Sequence, residues 1–346
     1  MKYYTLPQLQ QQVSKICLGT MTWGQQNTEA QAHEQMSFAL DAGVNFWDTA
    51  EMYPSPPDKD KQGATERYIG SWFAKTNKRK DVILASKISP MSFLRDGNTR
   101  LNAEHISAAI DGNLERLQTD YIDIYQLHWP ERQSNYFGKR GYTEAMAQQD
   151  LSELTPFLET IEALNNEIKK GRIRAYGLSN DTPWGIMRYL WEADKNGLIA
   201  PITVQNPYNL LNRLYEVGMA EISHRENIGL LAYSPLAFGV LSGKYLGGRR
   251  PKGARLTIYD HYERYLSAEA KWATQQYAMI AEDAGLDMAQ MALAWVNSRS
   301  FVAANIIGAT SIEQLRDNIN SIDVELSTDV IEAIENVQRQ QSNPSP

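Results

Sequence analysis

The sequence predicts a closed (β/α)8 TIM barrel formed as a single domain over residues 1–346, and three observations predict it. Eight short, apolar and often β-branched segments recur along the chain. Segments with helical spacing lie between them. The residues that end the apolar segments are far more polar than the segments themselves.

The strand candidates are KICLG (15–19), VNFW (44–47), DVILAS (81–86), YIDIYQL (121–127), RIRAYGL (172–178), ITVQ (202–205), IGLLAYS (228–234) and FVAANIIG (301–308). Strands that alternate with helices pair in parallel and need both faces covered, which a closed barrel provides. An open doubly wound sheet would place a nucleotide at an early glycine-rich turn. The best candidate for such a turn, GTMTWG (19–24), has neither GxGxxG spacing nor the Lys-Ser/Thr of a P-loop.

Among the intervening segments, EAQAHEQMSFALDAG (29–43) carries an apolar stripe of Ala32, Met36, Ala39 and Leu40, with Gly43 as its stop. HISAAIDGNLERLQ (105–118) and FLETIEALNNEIKKG (157–171) read the same way, the second closing on Lys-Lys-Gly. Two long connections interrupt the rhythm, at about 128–154 after the fourth strand and about 239–266 after the seventh. In a barrel such loops lie on the catalytic face. The tail QRQQSNPSP (338–346) is expected to be frayed or draped on the surface.

Composition narrows the functional classes. The chain is 42% apolar and 22% charged with a net charge of −7, which disfavours a broad nucleic-acid or membrane surface. Cys17 is the only cysteine, so no intrachain disulfide can form, as suits a reducing compartment. MKYYTLPQLQ at the start lacks an apolar signal region, and no run approaches the roughly 18 apolar residues of a membrane helix. The expectation is a cytoplasmic protein with a small-molecule substrate and no nucleic-acid or membrane partner. The oligomeric state stays open, with a monomer favoured.

A barrel requires the residues just past each strand to share one mouth. These are Gly19-Thr20, Asp48 with Tyr53, Lys87, His128, Ser179-Asn180, Gln205-Asn206, Tyr233-Ser234 and Gly308. Taken singly, Asp48 reads as a cap, Tyr53 as packing, Lys87 as an exposed charge and His128 as a half-buried ring. Together they form an acid/base set. A phenol titrates near 10 unless an ammonium stabilises its anion, and a carboxylate would hold that ammonium charged and oriented. His128 could hydrogen-bond the same substrate oxygen. No member is a strong nucleophile, whereas proton delivery to a carbonyl oxygen fits and requires a hydride from a cofactor. One His and one Asp make a poor metal site, so no metal is expected. Glu51 has no carboxylate partner by spacing and no evident role beyond the turn. In IIGATSIEQLRDNI (306–319), Gly308 permits close backbone approach. Thr310 or Ser311 can cap a helix with Glu313 or Gln314, a phosphate-binding arrangement to which Lys244 and Arg255 could add charge.

The ordered set LGTMTWG (18–24), DTAEMY (48–53), ASK (85–87), DIYQLHWP (123–130), GLSN (177–180), VQNPYNLLNR (204–213), AYSPLAFGVLSGKY (232–245) and IGATSIEQLRDNI (307–319) resembles the aldo-keto reductases. Within them it is similar to the bacterial Tas-type proteins and their relatives among potassium-channel β subunits. The resemblance implies a barrel that binds NADP(H) in extended form, with Tyr53 as proton donor or acceptor and Lys87 tuning it. Asp48 would pair with that lysine, and His128 would orient the carbonyl. It implies cofactor contacts from Thr20 and Met21, nicotinamide contacts from Ser179, Asn180 and Gln205, and stacking by Tyr233. Pyrophosphate contacts would come from Ser234, Leu236, Gly239 and Lys244. Arg255, Gly308, Thr310, Gln314, Asp317 and Asn318 would serve the adenosine end. Gly308-Ala309 and Gln314 stand where many members read Lys-Ser and Arg, as in the channel-β-like branch. Channel β subunits carry Asn where this chain has His128.

The function expected is therefore NADPH-dependent reduction of aldehydes or ketones, with Trp23, Trp129 and aromatic residues of 131–142 lining the substrate pocket. A regulatory NADP(H)-binding subunit with vestigial activity is the first alternative, and a barrel hydrolase or lyase the second.

Overall fold

The computed structural model describes residues 1–90, 95, 100–139 and 141–346. It begins with a hairpin, β1 (Tyr3–Leu6) and β2 (Gln11–Ser14), paired antiparallel with Tyr3 opposite Ser14. There follow β3 (Ile16–Gly19), α1 (Glu29–Asp41), β4 (Phe46–Asp48), α2 (Ala64–Thr76), β5 (Ile83–Ile88), α3 (Ala103–Leu117) and β6 (Ile122–Leu127). Next come α4 (Glu144–Ala147), α5 (Phe157–Lys169), β7 (Ile173–Ser179), α6 (Pro183–Lys195), β8 (Thr203–Pro207), α7 (Tyr215–Arg225) and β9 (Gly229–Tyr233). The chain ends with α8 (Arg255–Ile258), α9 (Ala268–Asp283), α10 (Met288–Asn297), β10 (Val302–Ile307), α11 (Ile312–Asn320) and α12 (Thr328–Gln340). Strands β3 to β10 form a closed parallel barrel in chain order, with Ile306 of β10 opposite Cys17 of β3.

Each strand read from the sequence is present within a residue or two of its expected limits. The period of two then sorts side chains between the inside and outside of the barrel. On β4, Phe46 joins an apolar cluster with Cys17, Ala85, Ile124 and Leu231, while Trp47 belongs to the cluster formed with the helices. Trp47 meets Trp72 of α2 edge-on, with ring centroids 5.0 Å apart, and stacks on Phe73 at 5.9 Å. The next residue, Asp48, is again internal and begins the polar top.

The hairpin, which the sequence does not announce, has a packing role. Leu6 and Val13 are fully buried and join the internal cluster, so β1 and β2 close one end of the barrel. The helices are capped by local chemistry. Thr28 and Gln31 form a reciprocal capping box on α1, and Asn102 accepts from His105 N–H at the start of α3. Of the two states expected for the tail, frayed or draped, it takes the second. Ser345 N–H donates to Leu211 O at 2.9 Å, and Asn343 Oδ1 accepts from Arg213 N–H at 2.6 Å. These bonds give the last residues fixed partners, which is why they lie ordered against the β8–α7 connection.

Helix α2 approaches α3 through Gly70, where a Cβ would stand 2.3 Å from the carbonyl oxygen of Arg116. Gly70→Ala would gain helix propensity but force backbone apart. It is expected to destabilise the protein by about 1–3 kcal/mol, seen as a lower urea midpoint. An unchanged or higher midpoint would contradict this close packing.

Candidate active site

At one end the barrel interior turns polar. The fully buried Lys87 ammonium donates to Asp48 Oδ2 at 2.6 Å, to Thr49 O at 2.8 Å and to Tyr53 Oη at 3.4 Å. An ammonium has three N–H bonds, and these three acceptors use them all. Burial alone would depress the lysine. Asp48 and Tyr53 together outweigh it, with the Asp48 carboxylate first, and hold the group charged above its ordinary value.

Asp48 is fixed from the other side. Its Oδ1 accepts from Gln126 Nε2 at 3.0 Å and from Gln205 Nε2 at 2.8 Å, and Gln205 Nε2 also meets Gln126 Oε1 at 3.0 Å. Strand register makes this possible: Asp48 pairs with Gly19 and Ala85, Lys87 with Gln126, and Gln205 with Ser179 and Leu231. Thr20 adds a hydroxyl bond to Asp48 O at 2.9 Å. Gln126 is not among the candidates read from the sequence, although it carries a signal there, a lone amide inside the apolar run of β6.

Tyr53 and His128 stand together at the mouth, with ring centroids 5.8 Å apart and planes near perpendicular. Burial pushes the Tyr53 phenol up, and the Lys87 ammonium pulls it part of the way back. The net direction is upward, so Tyr53 is a protonated phenol at neutral pH. For His128, burial and then the Lys87 charge push the imidazole well below its usual value, so the ring is neutral.

His128 Nδ1 lies 3.1 Å from Ser89 Oγ, and its carbonyl accepts from Asn180 Nδ2 at 2.9 Å. With Ser89 as donor to Nδ1, the proton of the neutral ring sits on Nε2. Ser89 is itself held by Glu51, whose Oε1 accepts the Ser89 N–H at 2.7 Å and whose Oε2 pairs with Arg95. Glu51 therefore has a role that its spacing did not reveal: it is buried and anchors the loop that carries the partner of His128.

Above this layer opens a cavity of about 1780 Å³. Thr20, Met21, Asp48, Tyr53, His128, Trp129, Asn180, Gln205, Tyr233, Ser234, Leu236, Gly239, Lys244 and Arg255 line it. So do Gly308, Thr310, Gln314, Asp317 and Asn318. Lys87 lies directly beneath. Ser179 also sits behind the wall, its hydroxyl donating to Gln205 O at 2.8 Å and accepting from Asn180 Nδ2 at 3.1 Å, so it supports the two amides instead of facing the cavity. Tyr233 Oη donates to Asn180 Oδ1 at 2.6 Å.

Arg255 is placed beside Met21, with its guanidinium 4.4 Å from the Phe238 ring centroid and 5.3 Å from that of Tyr262. Gly239 has φ +89°, and a Cβ there would stand 2.6 Å from Lys244 Cε. At the α11 start, Ser311 caps Gln314 N–H, while Gln314 Oε1 accepts from Thr310 N–H at 3.1 Å.

The expected pocket role of Trp23 is corrected. Trp23 is fully buried in the outer core, and its indole N–H donates to Gln35 Oε1 of α1 at 3.0 Å. That partner turns the ring toward the helices. Trp129 does line the cavity, joined by Phe137 with ring centroids 5.6 Å apart, whereas Tyr142 is exposed.

The Aldo/keto reductase family profile matches residues 15–339. Protein tas of Escherichia coli is 47% identical over the full length of both chains. An uncharacterized oxidoreductase of Bacillus subtilis, YrpG, is 32% identical over 97% of this chain and 96% of its own. An aldo-keto reductase of Babesia bovis is 38% identical over 68% of this chain and 86% of its own. The chain belongs to the aldo/keto reductase family and is an oxidoreductase by that membership. Among the described residues no helix is long and apolar enough to cross a membrane.

Asp48→Asn would leave a buried ammonium without its counter-charge. A loss of about 3–5 kcal/mol in unfolding free energy is expected, measured by urea titration at pH 7. A change below about 1 kcal/mol, the scale of exposed ion pairs, would show that Asp48 does not support Lys87.

Proposed function

We propose that the protein reduces aldehyde or ketone carbonyls to alcohols with NADPH, Tyr53 acting as general acid. The observation that carries this reading is the convergence of a protonated phenol and a neutral imidazole at the mouth of one cavity, both kept neutral by burial and both within the field of the Lys87 ammonium.

The cavity suits an extended phosphate-bearing dinucleotide. Arg255 has a buried Nε without an acceptor, and Lys244 makes no ion pair with any described residue. A Cβ on Gly308 would meet nothing within 4 Å, so the backbone leads openly into the capped N-terminus of α11. Lys244 and Gly239 would hold the pyrophosphate. Arg255, Thr310, Gln314, Asp317 and Asn318 would take the adenosine end, with Arg255 favouring the additional phosphate of NADPH. Gln205 has its Nε2 committed to Asp48 and Gln126, and its Oε1 is the atom offered to the nicotinamide amide, beside Asn180 and the Tyr233 ring.

When bound there, the reduced nicotinamide supplies a hydride to the carbonyl carbon. The chain's own residues manage the oxygen. His128 Nε2–H and Tyr53 Oη–H donate to it, and the Tyr53 proton is transferred as negative charge develops. The phenolate left behind is held against the Lys87 ammonium until it is reprotonated. Ser89 and Glu51 keep the imidazole in the donating tautomer.

Tyr53→Phe should retain NADPH binding, followed by nucleotide fluorescence, and lose about 10²–10⁴-fold in kcat for an aldehyde that the unmodified protein reduces. Unchanged turnover would remove Tyr53 from the mechanism, and nucleotide binding without any turnover would favour the regulatory reading. The direction of the Tyr53 shift also sets a pH signature. Reduction needs the protonated phenol and should hold steady from about pH 6 to pH 8. Alcohol oxidation needs the phenolate and should rise as pH climbs above that range. Parallel profiles in the two directions would contradict the assignment.

A further inference from the structure

Among the described residues, several buried or half-buried arginines have carboxylate partners: Arg79 with Asp123, Arg116 with Glu66, Arg132 with Asp181 and Arg213 with Glu216. Two in the cavity do not. Neither Arg255 nor Arg264 makes an ion pair with any described residue, and each has a buried Nε without an acceptor. A half-buried guanidinium without a counter-charge is matched in shape by a carboxylate. Arg255 lies beside Met21 and is absorbed by the dinucleotide assigned above. Arg264 is left over.

Its position is different. The Arg264 guanidinium hydrogen-bonds Tyr233 and lies 5.4 Å from the Tyr265 ring centroid. Its stem runs against Gly138, where a Cβ would stand 3.4 Å from Arg264 Cδ. It thus reaches from the 239–266 connection to the 128–154 connection, beside the segment carrying Trp129 and Phe137. Asp260 and Glu263 also border the cavity, both exposed, and neither pairs with it. Tyr233 feels the charges of both Arg264 and Tyr53, so the guanidinium and the proton donor act on one shared ring.

We infer that the substrate is an anionic carbonyl compound, with its carbonyl at Tyr53 and His128 and a carboxylate several atoms away on Arg264. The inference rests on the reductase reading and deepens it. An aldehyde acid with its two groups apart would lay its body against Trp129 and Phe137, which line the same cavity.

The test compares 4-carboxybenzaldehyde with its neutral counterpart 4-formylbenzamide, using NADPH and the full chain. The unmodified protein should favour the acid by about tenfold or more in kcat/KM, the scale of a charged hydrogen-bonded contact. Arg264→Gln should erase that ratio through KM, and Arg264→Lys should restore part of it. Equal use of both aldehydes by the unmodified protein would overturn the inference while leaving the reductase reading intact. An equal loss for both in Arg264→Gln would also overturn it, by showing that Arg264 acts through Tyr233 or the loops. If NADPH binds and neither aldehyde is reduced, the reductase reading fails and this inference fails with it.

Discussion

A charged lysine sealed inside a barrel is the constraint from which the site follows. Lys87 has no solvent exposure, so each of its N–H bonds requires an acceptor supplied by the protein. Two are conventional: the Asp48 carboxylate and the Thr49 carbonyl. The third is Tyr53 Oη at 3.4 Å, a longer contact that leaves the phenol oxygen open to the cavity. Asp48 in turn needs donors for its second oxygen, and the paired amides of Gln126 and Gln205 meet that need across two further strands. A loose phenol at the rim is thereby tied to a rigid network that crosses the barrel.

Much of this arrangement was legible in the chain because a barrel converts strand order into spatial order. Asp48, Lys87 and His128 end three successive apolar runs, and the parallel closure that those runs predict is enough to make them neighbours. The GATSIEQ segment likewise carries its cap in its spacing, since Ser311 and Gln314 are local partners. What escaped the sequence depends on contacts between distant segments. Glu51 has no local partner, and its meaning comes from Ser89 and Arg95, roughly 40 residues on. Trp23 sits in a glycine-flanked turn at the mouth, yet the amide of Gln35 turns it outward. The hairpin has strands too short to stand out by periodicity, and the tail is held by the distant residues Leu211, Arg213 and Ser267.

The two long connections gain their place from the same geometry. Both leave the end of the barrel at which the polar layer lies, so they can meet across its mouth. They do so through Arg264 and Gly138. One loop brings the aromatic pair Trp129 and Phe137, and the other brings the cations and Tyr262 and Tyr265. A wall assembled from opposite sides allows the proposed proton donor and the proposed distal recognition group to be set by separate segments.

The charge of Lys87 also bears on why this set suits the proposed proton donation and not nucleophilic attack. The same ammonium lowers the phenol and the imidazole, yet with opposite consequences for their charge. For Tyr53 it offsets part of the burial effect, making the proton easier to release while the group stays protonated. For His128 it reinforces burial, so the ring remains uncharged and keeps one N–H to donate. Two neutral donors facing one oxygen bind a carbonyl weakly and a developing alkoxide strongly, since their bonds strengthen as negative charge gathers there. An imidazolium would compete with Lys87 for space and charge, and a phenolate would repel the oxygen it must serve. Burial thus keeps both groups neutral, while the field of one buried lysine eases release of the phenol proton and reinforces the uncharged imidazole, as the proposed carbonyl reduction requires.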